Sequence, residues 1–266
     1  MMLAKHKQYL AAWLDISAEQ FEQADSSITL TATPKRCVVP DGLILIFPLY
    51  AFETQKTVHV SCVPEIEAEL RNLLETADYS NAIQKMEDYF SHNKKKFAIF
   101  TPWYHKVFGL DEFNRQTDIT QTFTLENKHY EQYRDFYLEI HPSFRQLNPE
   151  NWLPQGFQEI VGKQADFFLF EKNAIVSGTH VNAIPYMADE IIEFGIETLK
   201  SHRRNGYAFS VCSAFIQYHL QRGLVPIWRC EFNNDASEKL AQKLGFQYLG
   251  NEFSLCTIPD TSSFIV

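Results

Sequence analysis

Arg203-Arg204-Asn205-Gly206-Tyr207-Ala208 fits the pattern R/Q-x-x-G-x-G/A at a point where a strand-like run gives way to a helix-like one. Upstream, Glu190-Ile191-Ile192-Glu193-Phe194-Gly195-Ile196-Glu197-Thr198 is rich in β-branched and aromatic residues, and from Tyr207 to Gln221 there is neither Gly nor Pro. Gly206 therefore stands where a helix begins. The first turn of a helix carries amides without partners inside the helix, at the positive end of the macrodipole. A glycine there lets an anion approach the backbone closely. The stretch reads as a pyrophosphate cradle. A Walker loop would follow its last glycine with Lys and then Ser or Thr, whereas Tyr207-Ala208 follows here; a dinucleotide fingerprint needs three glycines, and only Gly206 is present.

Working outward, residues 166–170 and 174–182 are strand-like and meet at Glu171-Lys172-Asn173, a good hairpin turn. After them the pattern predicts strand 190–198, helix 207–221, strand 226–231, helix 236–243 and strand 246–258. Tyr130, Tyr133, Phe136, Tyr137 and Ile140 recur at helical spacing and predict a helix over 127–139, joined to the hairpin by a proline-containing segment, 147–158. A hairpin followed by β-α-β-α-β is an α/β (α+β) arrangement with a mixed sheet. The N-terminal half reads as mixed α/β too: a polar amphipathic opening over 5–23, strands over 28–33, 43–50 and 58–62, and a helix after Pro64 with Glu65, Glu67 and Glu69 against its dipole. A helix over 81–90, the basic run Lys94-Lys95-Lys96 and a strand over 97–101 follow. Beyond Trp103 no period stands out, and Trp103, Tyr104, Phe108 and Phe113 read as packing rather than a ligand platform. The expected division is an N-terminal domain, 1–125, and a second domain, 126–266.

The 266 residues are 45% hydrophobic and 14% aromatic, enough for a substantial core. Net charge is −9 and neither half is basic, which disfavours nucleic acid as a partner. Five cysteines form no C-x-x-C pair and are odd in number, so neither a zinc site nor a complete disulfide framework is expected. The opening 14 residues lack the apolar core of a signal peptide, and the apolar run 43–52 is short and interrupted by Pro48, which predicts a cytoplasmic protein without a membrane partner.

A second stretch, Asn234-Asp235-Ala236-Ser237-Glu238-Lys239-Leu240-Ala241-Gln242-Lys243-Leu244-Gly245-Phe246, reads physically as a capped amphipathic helix. Asn234 or Asp235 caps it, Leu240 and Leu244 share a face, and Gly245 ends it. Together with the 195–208 segment it resembles the GNAT superfamily of acetyl-coenzyme A-dependent N-acetyltransferases, over residues 127–258. The wording N-x-A-S-x-x-L-x-x-K-L-G-F is similar to the zwittermicin-resistance-type branch.

The resemblance implies a mixed, mostly antiparallel sheet flanked by helices, and the N-terminal half has strand and helix content that allows a degenerate copy of the same fold. It implies acetyl-CoA as cosubstrate, with no metal. Backbone amides from Arg204 through Asn205, Gly206 and Tyr207 to Ala208 would hold the pyrophosphate, with charge from Arg203 and Arg204. Thr198 and Leu199 would pair with the pantetheine arm and supply an oxyanion donor, and Asn234 and Ser237 would touch the coenzyme. The acceptor would be a small-molecule primary amine, for which the acidic balance favours a cation, and the protein a monomer or a homodimer. The family's base is a carboxylate on the strand before the loop; Glu193 is the first candidate and Glu190 the second, with Glu193 and Glu197 on one face and Glu190 on the other. The tyrosine that many members use as acid is replaced by Ala241, leaving Tyr248, Tyr207 or water, and Cys212 reads as core rather than nucleophile. A non-catalytic acyl-CoA-binding or interaction module is the alternative.

Overall fold

A computed structural model of the chain describes residues 2–22, 27–93, 100–113 and 122–258. The chain opens with α1 (Met2–Leu14), α2 (Ala18–Glu22), β1 (Ser27–Ala32), β2 (Ile46–Glu53), β3 (Thr57–Cys62), α3 (Glu67–Leu74), α4 (Ala82–His92) and β4 (Thr101–Leu110). It continues with β5 (Thr122–Phe123), α5 (Tyr130–Ile140), α6 (Leu153–Lys163), β6 (Phe168–Glu171), β7 (Ala174–Asn182) and β8 (Ile191–Thr198). The remainder is α7 (Tyr207–Leu220), β9 (Val225–Glu231), α8 (Asp235–Leu244) and β10 (Phe246–Thr257). The strands form one sheet in the order β1-β3-β2-β10-β4-β9-β8-β7-β6-β5, parallel at β1/β3 and β8/β9 and antiparallel elsewhere. Helices flank this mixed, mostly antiparallel sheet.

The two halves interleave at its centre. β10, last in sequence, lies between β2 and β4 and pairs with both, while β4 lies between β10 and β9. Helix α1 covers the seam: Tyr9, Leu10 and Trp13 pack with Tyr50 and Phe52 of β2, Val107 of β4, Ile191 of β8 and Ile227 of β9. A second core joins α3 and α4 to β1–β3, a third joins α7 and α8 to β8 and β9, and a fourth joins α5 and α6 to β6 and β7.

Local chemistry explains most boundaries. The opening amphipathic stretch is two helices rather than one, because Asp15 adopts φ +57°, a conformation that Asp tolerates better than most residues. Its carboxylate is held by the Thr33 hydroxyl at 2.7 Å and by Lys35. The β6–β7 turn forms as expected, with Lys172 and Asn173 both left-handed, as a type I′ hairpin requires.

Two expectations need correction. Of the predicted strand over 97–101, residues 97–99 lie outside the described residues, as does the Lys94-Lys95-Lys96 run. β4 begins at Thr101, the last residue of that expected strand, and runs on through the stretch beyond Trp103 where no period stands out. A strand hydrogen-bonded on both edges and covered on both faces loses the apolar–polar alternation that marks a half-exposed one, and Val107 to Leu110 are all buried. The segment 147–158, read as a connection, contains the start of α6. Pro154 falls in its first turn, where its missing N–H costs nothing.

Gly250 fixes the register of the interleaved strands. A Cβ there would lie 2.2 Å from the Glu53 carbonyl oxygen and 2.8 Å from the Phe52 ring, beside an irregularity in the β10–β4 pairing between Tyr248 and Gly250. Backbone cannot move aside as a side chain can. Gly250→Ala should therefore destabilise the protein by about 3 kcal/mol, at the upper end for overpacking. Urea denaturation is the measurement, and an unchanged midpoint would contradict the register described.

Candidate active site

Helix α7 starts as the sequence predicts. Gly206 is left-handed at φ +84°, Arg204 precedes it at φ +66°, and no side chain caps the helix. Within α7 the amide of Ser210 bonds back to the Gly206 carbonyl at 3.1 Å, so the amides ahead of it in the first turn lie at the open end of the helix. A Cβ built on Gly206 meets nothing within 4 Å, and Arg203, Arg204, Asn205 and Gly206 are all exposed. The loop is braced from within: Arg203 donates to the Thr198 carbonyl, Asn205 to the His202 carbonyl, and the Tyr207 hydroxyl to Glu171 at 2.9 Å.

Just before this loop, β8 and β9 part. They are paired only at Ile191↔Val225, Ile192↔Pro226 and Glu193↔Ile227. Beyond Glu193, β8 keeps its β7 partner, and the Leu199 amide donates to the Val176 carbonyl at 3.0 Å. Successive amides of a strand point to opposite edges, so those of Thr198 and Ile196 face the gap. This corrects one expectation: Leu199 is buried and its amide is spent, while Ile196 joins Thr198 on the open edge.

A cleft of about 480 Å³ fills the gap, bordered by Glu193 to Ile196, by Trp228 to Glu231, and by Tyr9, Trp13, Phe47 and Trp103 from the N-terminal half. Arg229 stands at its centre. It pairs with Glu193, donates through Nε to Glu252 at 2.9 Å, and lies 3.4 Å from the Tyr9 hydroxyl. Glu252 also accepts from the Tyr50 hydroxyl at 2.9 Å and faces His105 at 3.5 Å. Burial opposes ionisation of Glu252, yet Arg229 and His105 override it and hold the carboxyl at about 2. Burial also works against the Arg229 charge, and Glu193 and Glu252 together push its pKa well above the ordinary arginine value. Sequence reasoning missed Arg229, Glu252, Tyr50 and Tyr9; an arginine inside the apolar run 225–230 was the available signal, since such a charge is buried only when paired.

The two candidate bases separate. Glu193 borders the cleft but is bound to Arg229, with Asn182 at 3.4 Å on its other oxygen. Glu190 precedes β8, pairs with Lys5 at 3.0 Å and does not line the cleft. Asn234 and Ser237 border the cleft while doing structural work: Asn234 caps α8 through the Ser237 amide at 3.1 Å, and the Ser237 hydroxyl accepts from Trp228 at 3.0 Å. Ala241 is wholly buried between α8 and the sheet. Tyr248 is turned away, bonded to Asn251 at 2.6 Å and packed on Phe108, so the phenol at the cleft is Tyr9 instead. Cys212 is buried in the α7 core, and burial pushes its thiol pKa up.

A mixed sheet with two parallel strands that part beside an uncapped, glycine-started helix sets an open strand edge next to an open helix end. The family model described as GNAT acetyltransferase matches residues 50–252, from β2 to β10 and across both halves, and the chain belongs to that family. Two Bacillus subtilis proteins, the uncharacterized N-acetyltransferases YdfB and YjdG, are 35% identical over 77 residues and 36% identical over 116 residues. Those alignments cover 28% and 42% of this chain and 30% and 64% of the relatives, less than two thirds of either. A solved GNAT-family acetyltransferase from Colwellia psychrerythraea is 17% identical with a TM-score of 0.48, covering 63% of this chain and 61% of its own. No helix among the described residues is long and apolar enough to cross a membrane.

The Glu252 carboxyl, ordinarily near 4.5, ionises at about 2 in the fold. A lowered carboxyl pKa contributes stability that is present above the unfolded value and lost as pH falls through the folded one. Glu252→Gln should thus cost on the order of 3 kcal/mol at pH 7 and flatten the loss of stability between pH 5 and 2. Urea midpoints measured across that range check it, and parallel curves for the two proteins would contradict the pairing.

Proposed function

We propose that the protein transfers the acetyl group of acetyl-CoA to a primary amine of a small molecule. The observation that carries this is the open N-terminus of α7, with left-handed Arg204 and Gly206 and exposed arginines, placed directly beside the edge where β8 and β9 part. The residues fit the coenzyme chemically: amides from Arg204 to Ala208 and the Arg203 and Arg204 side chains suit a pyrophosphate, and the open edge at Ile196 and Thr198 suits the amide-bearing pantetheine arm. Bound there, the coenzyme supplies an acyl group activated as a thioester.

The protein's own groups have distinct roles. Trp13, Phe47, Trp103 and Trp228 exclude water from the cleft. Glu193 is tied to Arg229 through one carboxylate oxygen and to Asn182 through the other, so both oxygens are already engaged. We therefore assign it to holding Arg229 rather than to taking a proton. Ala241 supplies no acid, and Tyr9, which borders the cleft with its hydroxyl beside Arg229, is the proton donor we favour in its place. Further parts of this reading are a cytoplasmic location, a place near the zwittermicin-resistance-type branch, and an N-terminal half, residues 1–125, derived from the same fold.

A second reading, a non-catalytic acyl-CoA-binding module, is favoured by one observation: Glu193 is locked and Ala241 is core. Acetyl-CoA binding without amine-dependent thiol release from any amine tested would support it. The coenzyme assignment itself is tested at Gly206. Asn and Asp both tolerate a left-handed backbone and differ by one charge. Gly206→Asn should keep acetyl-CoA affinity within about tenfold, whereas Gly206→Asp should lose about a hundredfold or more. Equal affinities by titration calorimetry would refute an anion site there.

A further inference from the structure

With Glu193 and Glu252 committed to Arg229, the cleft needs another group to free an amine from its proton. One lies next to it. Glu193, Gly195 and Glu197 share a face of β8 by strand alternation, and Glu197 pairs with Nε2 of His141, just past the end of α5, at 2.8 Å. Between the two glutamates, Gly195 is in register with His180 of β7, whose ring lies over the glycine: a Cβ on residue 195 would sit 2.2 Å from two ring atoms. The absence of a side chain at 195 is what admits the imidazole.

Beside these groups a cavity of about 350 Å³ opens between α5, α6 and the sheet, walled by Tyr133, Phe136, Tyr137, Ile160 and Phe168 and rimmed by His141, His180 and Glu197. It abuts the cleft along β8, where Gly195 and Ile196 border the cleft and Glu197 borders the cavity. Among the described residues, no hydrogen bond or ion pair engages His180. The titratable groups that face it are Glu197 from β8 and His141 from the end of α5, with the phenols of Tyr133 and Tyr137 in the same wall; α6 contributes Ile160. His180 is exposed at the cavity rim yet closely surrounded, and that desolvation lowers its pKa from the ordinary imidazole value despite the attraction of Glu197; a neutral imidazole there offers a ring-nitrogen lone pair.

We propose that this cavity seats the acceptor, a primary amine on a small aromatic or branched apolar skeleton, with its ammonium between Glu197 and His180 and its proton passing to the His180 ring. Aromatic walls and one carboxylate are the recognition chemistry of an ammonium attached to apolar carbon. Desolvation there favours the neutral amine while Glu197 favours the ammonium, so the proton leaves only to an acceptor set beside it, the His180 ring. One N–H bond of the ammonium breaks, its electron pair stays on the amine nitrogen, and the proton joins the ring nitrogen lone pair. The imidazolium so formed faces Glu197, which His141 holds in place, and later returns the proton to solvent. The inference rests on the acetyl-CoA reading above and adds to it where the acceptor sits and which group takes its proton.

The test uses the full chain saturated with coenzyme A and 2-phenylethylamine as probe. Calorimetry should show binding that Glu197→Gln weakens about tenfold, and imidazole NMR should show the His180 signals shifting as the amine is added. With acetyl-CoA, His180→Gln should cut kcat about a hundredfold near pH 7 while changing the affinity for the amine less than threefold, and should recover rate toward pH 10, where free amine no longer needs a base. Gly195→Ala, which displaces the ring without removing it, should reproduce the pH 7 loss. Coenzyme A that fails to bind would sink the cofactor reading. If it binds but the amine does not, if Glu197→Gln leaves the amine affinity unchanged, or if His180→Gln turns over like wild type at pH 7, this proposal is overturned.

Discussion

A guanidinium in a sheet interior must be neutralised by partners brought from somewhere, and at Arg229 they come from three parts of the chain. Glu193 arrives on the neighbouring parallel strand and Glu252 on β10 from the other side of β4, while the Tyr9 hydroxyl of α1 accepts from Arg229 and the Tyr50 hydroxyl of β2 donates to Glu252. Leaving that charge unpaired would cost several kcal/mol, a large share of the stability of any domain. The requirement ties the helix that caps the seam, the strand that crosses it and the strand that opens the cleft into one arrangement. It also spends the carboxylates that would otherwise serve chemistry.

This division of labour accounts for the layout around β8. Its cleft edge is backbone, its Glu193 end is tied to Arg229, and its Glu197 end is paired with His141 beside an apolar chamber that His180 also rims. On the reading proposed above, one strand would serve a coenzyme edge, an ion pair for stability and an acceptor wall, because its edges and faces point in different directions.

The sequence made the C-terminal half readable because its signals are local. A glycine at a helix start, a capping side chain and a hairpin turn each act within a few positions: Gly206 opens α7, Asn234 of the two capping candidates caps α8, and the β6–β7 turn falls within Glu171-Lys172-Asn173. What escaped was non-local. β4 is recognisable only once β9 and β10 are known to flank it, and Pro154 marks a helix start rather than a loop only because the residues after it pack on α5 and the sheet. In the site, Glu193 was legible as a cleft residue but not as a tied one. Its partner Arg229 is 36 residues away, and the partner of Arg229, Glu252, belongs to a strand whose place in the sheet no periodicity announces.

The interleaving of β4 and β10 also constrains how the chain can come to be. β10 is the last strand, yet it supplies the hydrogen-bonding neighbour of β2, about two hundred positions earlier. A ribosome releases the N-terminal half with one edge each of β2 and β4 unmatched, and they stay so until β10 has emerged. Exposed edges of that kind attract other strands, and pairings so distant in sequence close slowly. The molecule is therefore one whose halves cannot mature in turn, because neither sheet half is complete until β10 has been made.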